Sequence, residues 1–200
     1  MNNIIPNFFI WTKIGSEAGQ SLTDILLRKE LERKNNNGIF FWGIGNALGS
    51  RILDFINQEK SPKVLFSEIK TKPKLIDINP QITVMWTKYR DNLGNIKDIP
   101  ENILVTSREN NRKHYALVCH KDNFEKENWE PIKINLLKNF GSSNLNLGYS
   151  QITAVVEKKM ELYDKSSEYS VLFSADLISP YYVELINPIE ISNNYYEKLT

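Results

Sequence analysis

Phe40-Phe41-Trp42-Gly43-Ile44-Gly45-Asn46 is the stretch that says most about the fold of this chain. It begins with bulky apolar residues, which are typical of a buried strand, and ends with glycines and an asparagine, which are typical of a turn. The segment that follows has helical spacing, because Leu48, Ile52, Phe55 and Ile56 recur on one helical face. The stretch therefore predicts a buried strand, Ile39 to Ile44, that leads directly into a helix.

A strand and a helix are also predicted before this junction. The aromatic and β-branched run Asn7–Ile14 is typical of a strand. Ser21 with Asp24 three residues later resembles a helix capping box, and Asn35-Asn36-Asn37-Gly38 indicates where that helix ends. The first third of the chain is thus predicted to alternate strand and helix.

The rest of the chain is rich in strand-forming residues. Lys121–Pro131 is polar and predicts an exposed loop, while Ile134–Phe140 predicts a short helix. The turn region Asn92–Asn95 predicts that the strands on either side of it are antiparallel neighbours. Further strands are predicted at Val64–Ile69, Ile82–Lys88, Ile103–Ser107, Tyr115–Cys119, Ile152–Val156 and Val171–Ala175.

This order of elements predicts an α+β fold and not a doubly wound parallel sheet, because helices stop alternating with strands after the third strand. We expect a mixed, mostly antiparallel, partly closed, barrel-like sheet flanked by helices. The length of 200 residues and the hydrophobic fraction of 41% suit a globular chain. Residues 1–120 are expected to form the core domain, with 121–200 as an extension packed on the same domain.

Cysteine and histidine are too few for a disulfide framework or a metal centre. Cys119 is the single cysteine, and His114 and His120 would lie about 20 Å apart on one extended strand. The start of the chain lacks the features of a signal peptide, and no apolar run is long enough for a membrane helix. We therefore expect a cytoplasmic protein with no membrane contact, no metal and no redox cofactor.

The charge of the chain is balanced overall but clustered locally. The formal net charge of +1 gives no general attraction to nucleic acid. The segment from Lys60 to Lys74 nevertheless carries lysines against the single acid Glu68. Solvated surface is one explanation of this cluster, and contact with phosphates is the other.

The junction after Trp42 combines features that suit a nucleotide or a base. Trp42 offers a flat ring for stacking, and Gly43 and Gly45 allow close approach of a ligand to the backbone. Asn46 has both a donor and an acceptor for a base edge. The alternative is simple packing, in which Trp42 lies in the core and Asn46 caps a helix.

These residues resemble the EVE domains of the PUA-like superfamily over about the first half of the chain. Such domains open with an aromatic strand and then show a Trp-x-Gly-Val-Arg-Asn junction between strand and helix. Here Gly45 stands at the arginine position, the junction is one residue shorter, and no histidine precedes Ser67. The positions that carry the resemblance are Trp11, Trp42, Asn46, Arg51 and Phe66-Ser67.

The resemblance implies a compact, barrel-like fold whose pocket accepts a single base, often a modified one, from DNA or RNA. Stacking would come from the tryptophans, base-edge contacts from Asn46, Ser67 and Thr87, and phosphate contacts from basic residues. No catalysis is implied. The candidate binding residues are Trp11, Lys13, Trp42, Gly43, Gly45, Asn46, Arg51, Ser67, Lys70, Lys72, Trp86 and Arg108.

Two other functions remain open at this point. Gly43-Ile44-Gly45 with Gly49, and Glu68 near the end of the next strand, is similar to a dinucleotide-binding fingerprint of an enzyme, although the glycine spacing differs from it. Tyr181-Tyr182 and Tyr195-Tyr196 suit a protein-binding surface, which would make the chain an interaction module without a small ligand.

Overall fold

The computed structural model of the protein describes residues 2–15, 21–45, 54–56, 62–68, 82–99, 104–107, 113–139, 153–159 and 167–190. The described elements are β1 (Phe8–Ile14), α1 (Leu22–Asn35), β2 (Ile39–Gly45), β3 (Lys63–Glu68), β4 (Ile82–Arg90), β5 (Ile96–Asp98), β6 (Leu104–Ser107), β7 (His114–His120), β8 (Ile132–Lys133), a 3-10 helix (Ile134–Leu136), β9 (Leu137–Asn139), β10 (Thr153–Lys158), β11 (Glu168–Tyr169) and β12 (Val171–Glu190). Residues 54–56 are also helical.

The chain divides into two compact units, each made from three segments. Both units take segments from either side of residue 120, and the division at Ile178 falls within β12. The first unit comprises Met1–Gly15, Leu48–Lys74 and Cys119–Ile178, and the second comprises Ser16–Ala47, Leu75–Val118 and Ser179–Thr200.

The first unit is centred on β1 and β3, which pair in parallel. Antiparallel partners flank them, because β10 pairs with β1 and the first part of β12 pairs with β3. β9 extends this arrangement by pairing with β10. The β1 run from Phe9 to Ile14 is buried, which explains why it consists mostly of apolar residues on both faces.

The segment Lys121–Pro131, predicted as an exposed loop, carries many exposed side chains but is fixed to the first unit by Glu127. The Glu127 carboxylate accepts from Trp129 Nε1 at 2.5 Å and from the Ser174 hydroxyl at 2.9 Å, and it forms an ion pair with Lys121. Burial raises the pKa of Glu127, but hydrogen bonds from Lys121, Trp129 and Ser174 outweigh it and hold the pKa below its usual value. Charge-assisted hydrogen bonds therefore order this segment.

In the second unit, α1 begins at the predicted capping box. Ser21 Oγ accepts from the Asp24 backbone N–H at 3.2 Å, and the Asp24 carboxylate accepts from the Ser21 backbone N–H at 2.9 Å. The hydrogen bonds from Ser21 lower the pKa of Asp24. Asn37 and Gly38 follow the helix with positive φ angles of 52° and 87°, so the predicted stop is also confirmed.

The sheet of the second unit curves around its core. The hydrogen-bonded order is β2, β7, β12, β4, and β5 and β6 pair antiparallel with β4. Phe41 on β2 and Tyr89 on β4 nevertheless contact each other, with ring centroids 5.3 Å apart. The first and fourth strands of that order can meet in this way only if the sheet bends between them.

α1 covers the outer edge of β2 with a buried ion pair. The Lys29 ammonium and the Glu32 carboxylate lie 2.7 Å apart, and both side chains are buried. Glu32 accepts from the Phe41 backbone N–H at 2.7 Å, and Lys29 donates to the Phe41 carbonyl oxygen. Side chains therefore satisfy the Phe41 peptide groups that a further strand would otherwise pair with.

The structure corrects two predicted elements. The helix predicted at Ile134–Phe140 is wrong, because a single 3-10 turn is followed at once by β9. The strand predicted at Val171–Ala175 exists but continues to Glu190, past Pro180 and Pro188. Both prolines lack a backbone N–H and argue against a strand in the sequence, although sheet edges and irregularities tolerate them.

The predicted class is confirmed as mixed α+β and rich in sheet, and β4 and β6 are antiparallel neighbours as predicted. Partial closure into a barrel-like form stays a prediction. No helix in the described ranges is both long and apolar enough to cross a lipid bilayer.

Candidate functional site

The candidate binding residues are divided between the two units. The first unit contains Trp11, Lys13 and Ser67, and the second contains Trp42, Gly43, Gly45 and Trp86. The candidates that lie outside the described residues are Asn46, Arg51, Lys70, Lys72 and Arg108.

In the first unit, the structure brings Trp11, Lys13 and Ser67 together. Lys13 and Ser67 are register partners on the parallel strands β1 and β3. Trp11 Nε1 donates to Ser67 Oγ at 3.1 Å, and both side chains are completely buried. The Ser67 hydroxyl therefore holds the indole of Trp11 within the core.

Lys13 is enclosed between aromatic rings and is only 1% exposed. Its Nζ atom lies 5.5 Å from the ring centroid of Trp11 and 5.4 Å from that of Tyr169. The two rings meet edge to face with centroids 5.2 Å apart. Cation–π attraction offsets part of the cost of burying the ammonium group, which points into the unit and away from the surface where phosphates bind.

Burial also changes the titration of this cluster. It lowers the pKa of Lys13 to about 8 and raises the pKa of Tyr169. Tyr169 is a member of this cluster that sequence reasoning missed. It lies on a two-residue strand, β11, with no periodic pattern to mark it.

We expect the Lys13→Met variant to lose a pH dependence of stability that the wild-type protein shows. Between pH 8 and 10, Lys13 is neutral in the folded protein but charged in the unfolded chain, whose lysine pKa is 10.5. The free energy of unfolding of the wild-type protein should therefore rise across this interval, by on the order of 2 to 3 kcal/mol.

The measurement is urea unfolding at pH 7, 8, 9 and 10. Lys34→Met serves as the matched control because Lys34 is largely exposed, and it should keep the rise. Parallel curves for the wild-type protein and Lys13→Met would contradict the expectation.

In the second unit, β2 changes from buried to partly exposed toward its end. Trp42 is 8% exposed, but Gly43, the next residue, is exposed. Gly45 has a φ of 63°, and a Cβ atom at this position would have no heavy atom of the described residues within 4 Å. Gly43 and Gly45 therefore have no side chains to cover the backbone that follows the buried Trp42.

Trp86 on β4 and His114 on β7 form a second aromatic contact in this unit. Their ring centroids lie 5.1 Å apart at an interplanar angle of 38°, and they are 5% and 8% exposed. Sequence reasoning considered His114 only as a metal ligand and missed its contact with Trp86. Ring contacts between strands leave no pattern in the local sequence, because they depend on which strands pair with each other.

Trp42 and Trp86 point to the same face of the curved sheet. Side chains alternate along a strand, so Trp42 points away from Phe41 and Trp86 points away from Tyr89. Phe41 and Tyr89 contact each other and so share one face. The two tryptophans therefore lie on the opposite face, together with His114.

The register of β4 and β12 is unbroken beside Trp86, but Asn187 of β12 has an unusual backbone conformation. Asn187 has a φ of 57°, and it lies between the register pairs Ile186–Lys88 and Pro188–Trp86. Thr87 Oγ1 donates to the Asn187 carbonyl at 2.9 Å and accepts from Asn187 Nδ2 at 2.6 Å. Thr87, which was predicted to contact a base edge, thus holds Asn187 in a backbone conformation that is uncommon for residues other than glycine.

Exposed basic residues on β4 and just before β7 form ion pairs at the surface of this unit. Lys88 pairs with Asp98 at 2.7 Å, while Arg90 and Lys113 both pair with Glu184, at 3.5 and 3.3 Å. Pairs of this kind contribute little to stability. Phosphate groups can therefore compete for the cations.

The dinucleotide hypothesis finds no support in the strand order. A fingerprint of that kind needs the glycine-bearing strand and the strand with the acidic residue in one parallel βαβ unit. Among the described strands, β2 pairs with β7, whereas β3, which ends at Glu68, pairs with β1 and β12. Gly49 lies outside the described residues.

No cluster of three or more His, Cys, Asp or Glu side chains that could hold a metal ion occurs in the part of the chain that the structure describes. Cys119 is buried, and the side chains of His120 and Asp122 approach to 4.0 Å. No family model, no curated protein and no solved structure matches this chain.

Proposed function

We propose that this protein is a non-catalytic module that binds nucleic acid or a nucleotide by accommodating one base, modified or unmodified, in its second unit. The observation that carries the proposal is the exposure of β2 at Gly43, directly after Trp42. Gly43 and the left-handed Gly45 have no side chains that would keep a ligand from the backbone.

The physical basis is the combination of an aromatic face with accessible polar backbone groups. A base has two faces that stack and an edge that forms hydrogen bonds, so a site for one base needs both kinds of contact. The glycines admit close approach because they have no side chain. Trp42 supplies the aromatic side chain next to them.

The curvature of the sheet supports the finer part of the proposal, which is a partly closed, barrel-like fold of the PUA-like, EVE-like kind. The Phe41–Tyr89 contact brings the first and fourth strands of the second unit together. A sheet that bends in this way has the curvature that a partly closed, barrel-like fold requires, with Phe41 and Tyr89 on its concave face and the tryptophans on the other.

The phosphates of a bound strand would be held by Lys88, Arg90 and Lys113. These side chains are exposed and paired only at the surface. They belong to the same unit as Gly43 and Gly45. Because phosphate contacts release counterions, binding should weaken as salt rises.

Fluorescence anisotropy with a panel of labelled single-stranded DNA and RNA oligonucleotides, modified and unmodified, tests this function. The wild-type protein should bind at least one member of the panel, about tenfold more weakly at 200 mM than at 50 mM salt if two or so phosphates are contacted. Absence of binding to the whole panel at 50 mM salt would overturn the proposal and direct attention to protein partners.

A further inference from the structure

Trp86 has a buried indole N–H group without a hydrogen-bond acceptor. The Nε1 atom is shielded from solvent, and no polar atom of the described chain accepts its hydrogen. Two other tryptophans differ in this respect. Trp11 Nε1 donates to Ser67 at 3.1 Å, and Trp129 Nε1 donates to Glu127 at 2.5 Å.

An unsatisfied buried donor is unfavourable for folding, and the large majority of buried polar groups in proteins have a partner. A phenylalanine would fill most of the same volume without this cost. Packing alone therefore does not explain why position 86 carries an indole. An acceptor supplied by a ligand would satisfy the indole N–H group.

The surroundings of Trp86 suit a planar ligand. His114 lies against the indole with ring centroids 5.1 Å apart, so a flat polar ring is already tolerated at this place. The neighbouring β12 backbone has a positive φ of 57° at Asn187. Uncommon backbone conformations of this kind cluster at ligand-binding sites.

We propose that the Trp86 indole N–H is the hydrogen-bond donor that reads the bound base, and that it selects bases with an exocyclic carbonyl oxygen. Uracil, thymine, cytosine and guanine carry such an oxygen, and adenine does not. The inference rests on the proposed function, because it names the base class that the second unit takes. Trp42 and Trp86 lie on the same face of the sheet, which is consistent with one site.

The test follows the indole ¹H–¹⁵N resonances of the four tryptophans while nucleoside 5′-monophosphates are added. The Trp86 resonance, assigned from the Trp86→Phe variant, should move downfield with UMP, CMP and GMP. The resonances of Trp11 and Trp129 should stay in place, because their N–H groups already have acceptors. AMP should leave the Trp86 resonance unchanged or bind about tenfold more weakly.

A second measurement does not depend on the stability of the variant. Wild-type protein and Trp86→Phe are compared for the ratio of GMP affinity to the affinity of its analogue that lacks the 6-carbonyl oxygen, which is the single exocyclic oxygen of guanine. The ratio should be about tenfold in the wild-type protein and close to one in the variant, since only the wild-type protein has the indole N–H that donates to this oxygen.

A failure of this inference can be distinguished from a failure of the proposed function. If nucleotides bind but the Trp86 resonance does not move and the ratio is the same in both proteins, this inference is overturned while the proposed function stands. If no nucleotide and no oligonucleotide binds the wild-type protein, both are overturned.

Discussion

The Gly45→Asn variant should bind its preferred oligonucleotide at least about tenfold more weakly than the wild-type protein, which corresponds to about 1.4 kcal/mol. Gly45 has a φ of 63°, a conformation that asparagine adopts more readily than most residues. The added side chain would enter space in which no heavy atom from the described part of the chain lies within 4 Å of the new Cβ. It would therefore block a ligand while leaving the fold intact.

The chain provides a matched control for this experiment. Gly94, in the turn between β4 and β5, also has a positive φ, 85°, and a Cβ atom added there would also have no heavy atom within 4 Å. Gly94→Asn should keep wild-type affinity. Equal affinity of Gly45→Asn and Gly94→Asn, measured by anisotropy on proteins with the same thermal midpoint, would show that no ligand occupies the end of β2.

The Glu32→Ala variant is expected to lose about 3 to 5 kcal/mol of its free energy of unfolding, because it leaves the Lys29 ammonium buried without its carboxylate. Glu32 also accepts from the Phe41 backbone N–H, so the change removes a second buried contact. The loss should appear in urea unfolding as a lower midpoint with a similar slope.

Two further variants distinguish the contribution of the Lys29–Glu32 ion pair from that of the hydrogen bonds these side chains form with the edge of β2. Lys34→Ala, which breaks a pair at the surface, should change stability by less than about 1 kcal/mol. The double variant Lys29→Met, Glu32→Leu should remain destabilised. Replacing both members of a buried pair by apolar residues is often neutral, but here Phe41 would lose partners for both its N–H and its carbonyl groups. Wild-type stability of the double variant would contradict the edge role.

Local chemistry explains what could be predicted from the sequence. The Ser21–Asp24 capping box and the stop at Asn37-Gly38 depend on residues within one helical turn, and both are observed. The strands β1, β2 and β3 are buried and consist largely of apolar residues, so their composition alone marks them. In these places the residues that decide a structure are neighbours in the sequence.

Long-range pairing explains what could not be predicted. β12 continues past Pro180 and Pro188, which local propensity treats as breaks, because β3 pairs with its first part and β4 with its last. The segment after Ile134 has helical spacing but becomes β9 because β10 offers it a ladder. Tertiary pairing overrides the local preference in both cases.

In the candidate site, too, local features could be predicted from the sequence and long-range contacts could not. The Trp42-Gly43-Ile44-Gly45 pattern predicted glycines that let a ligand approach the backbone beside a tryptophan, and in the structure Gly43 is exposed while Trp42 is buried. The sequence could not show that Trp11 would share a hydrogen bond with Ser67, or that Trp86 would lack an acceptor. Whether a buried donor is satisfied depends on residues that lie far away along the chain.

The most direct measurement of the central claim compares oligonucleotides that differ by one base. The best-binding member of the panel is prepared in a series in which each position in turn is abasic, so that the phosphates stay the same. If one base is accommodated at the end of β2, a single abasic position should lower the affinity by about tenfold or more, since stacking contributes roughly 1–3 kcal/mol per base. The other positions should have little effect. Equal affinity across the whole series would show that the protein contacts only the backbone, and it would contradict the account.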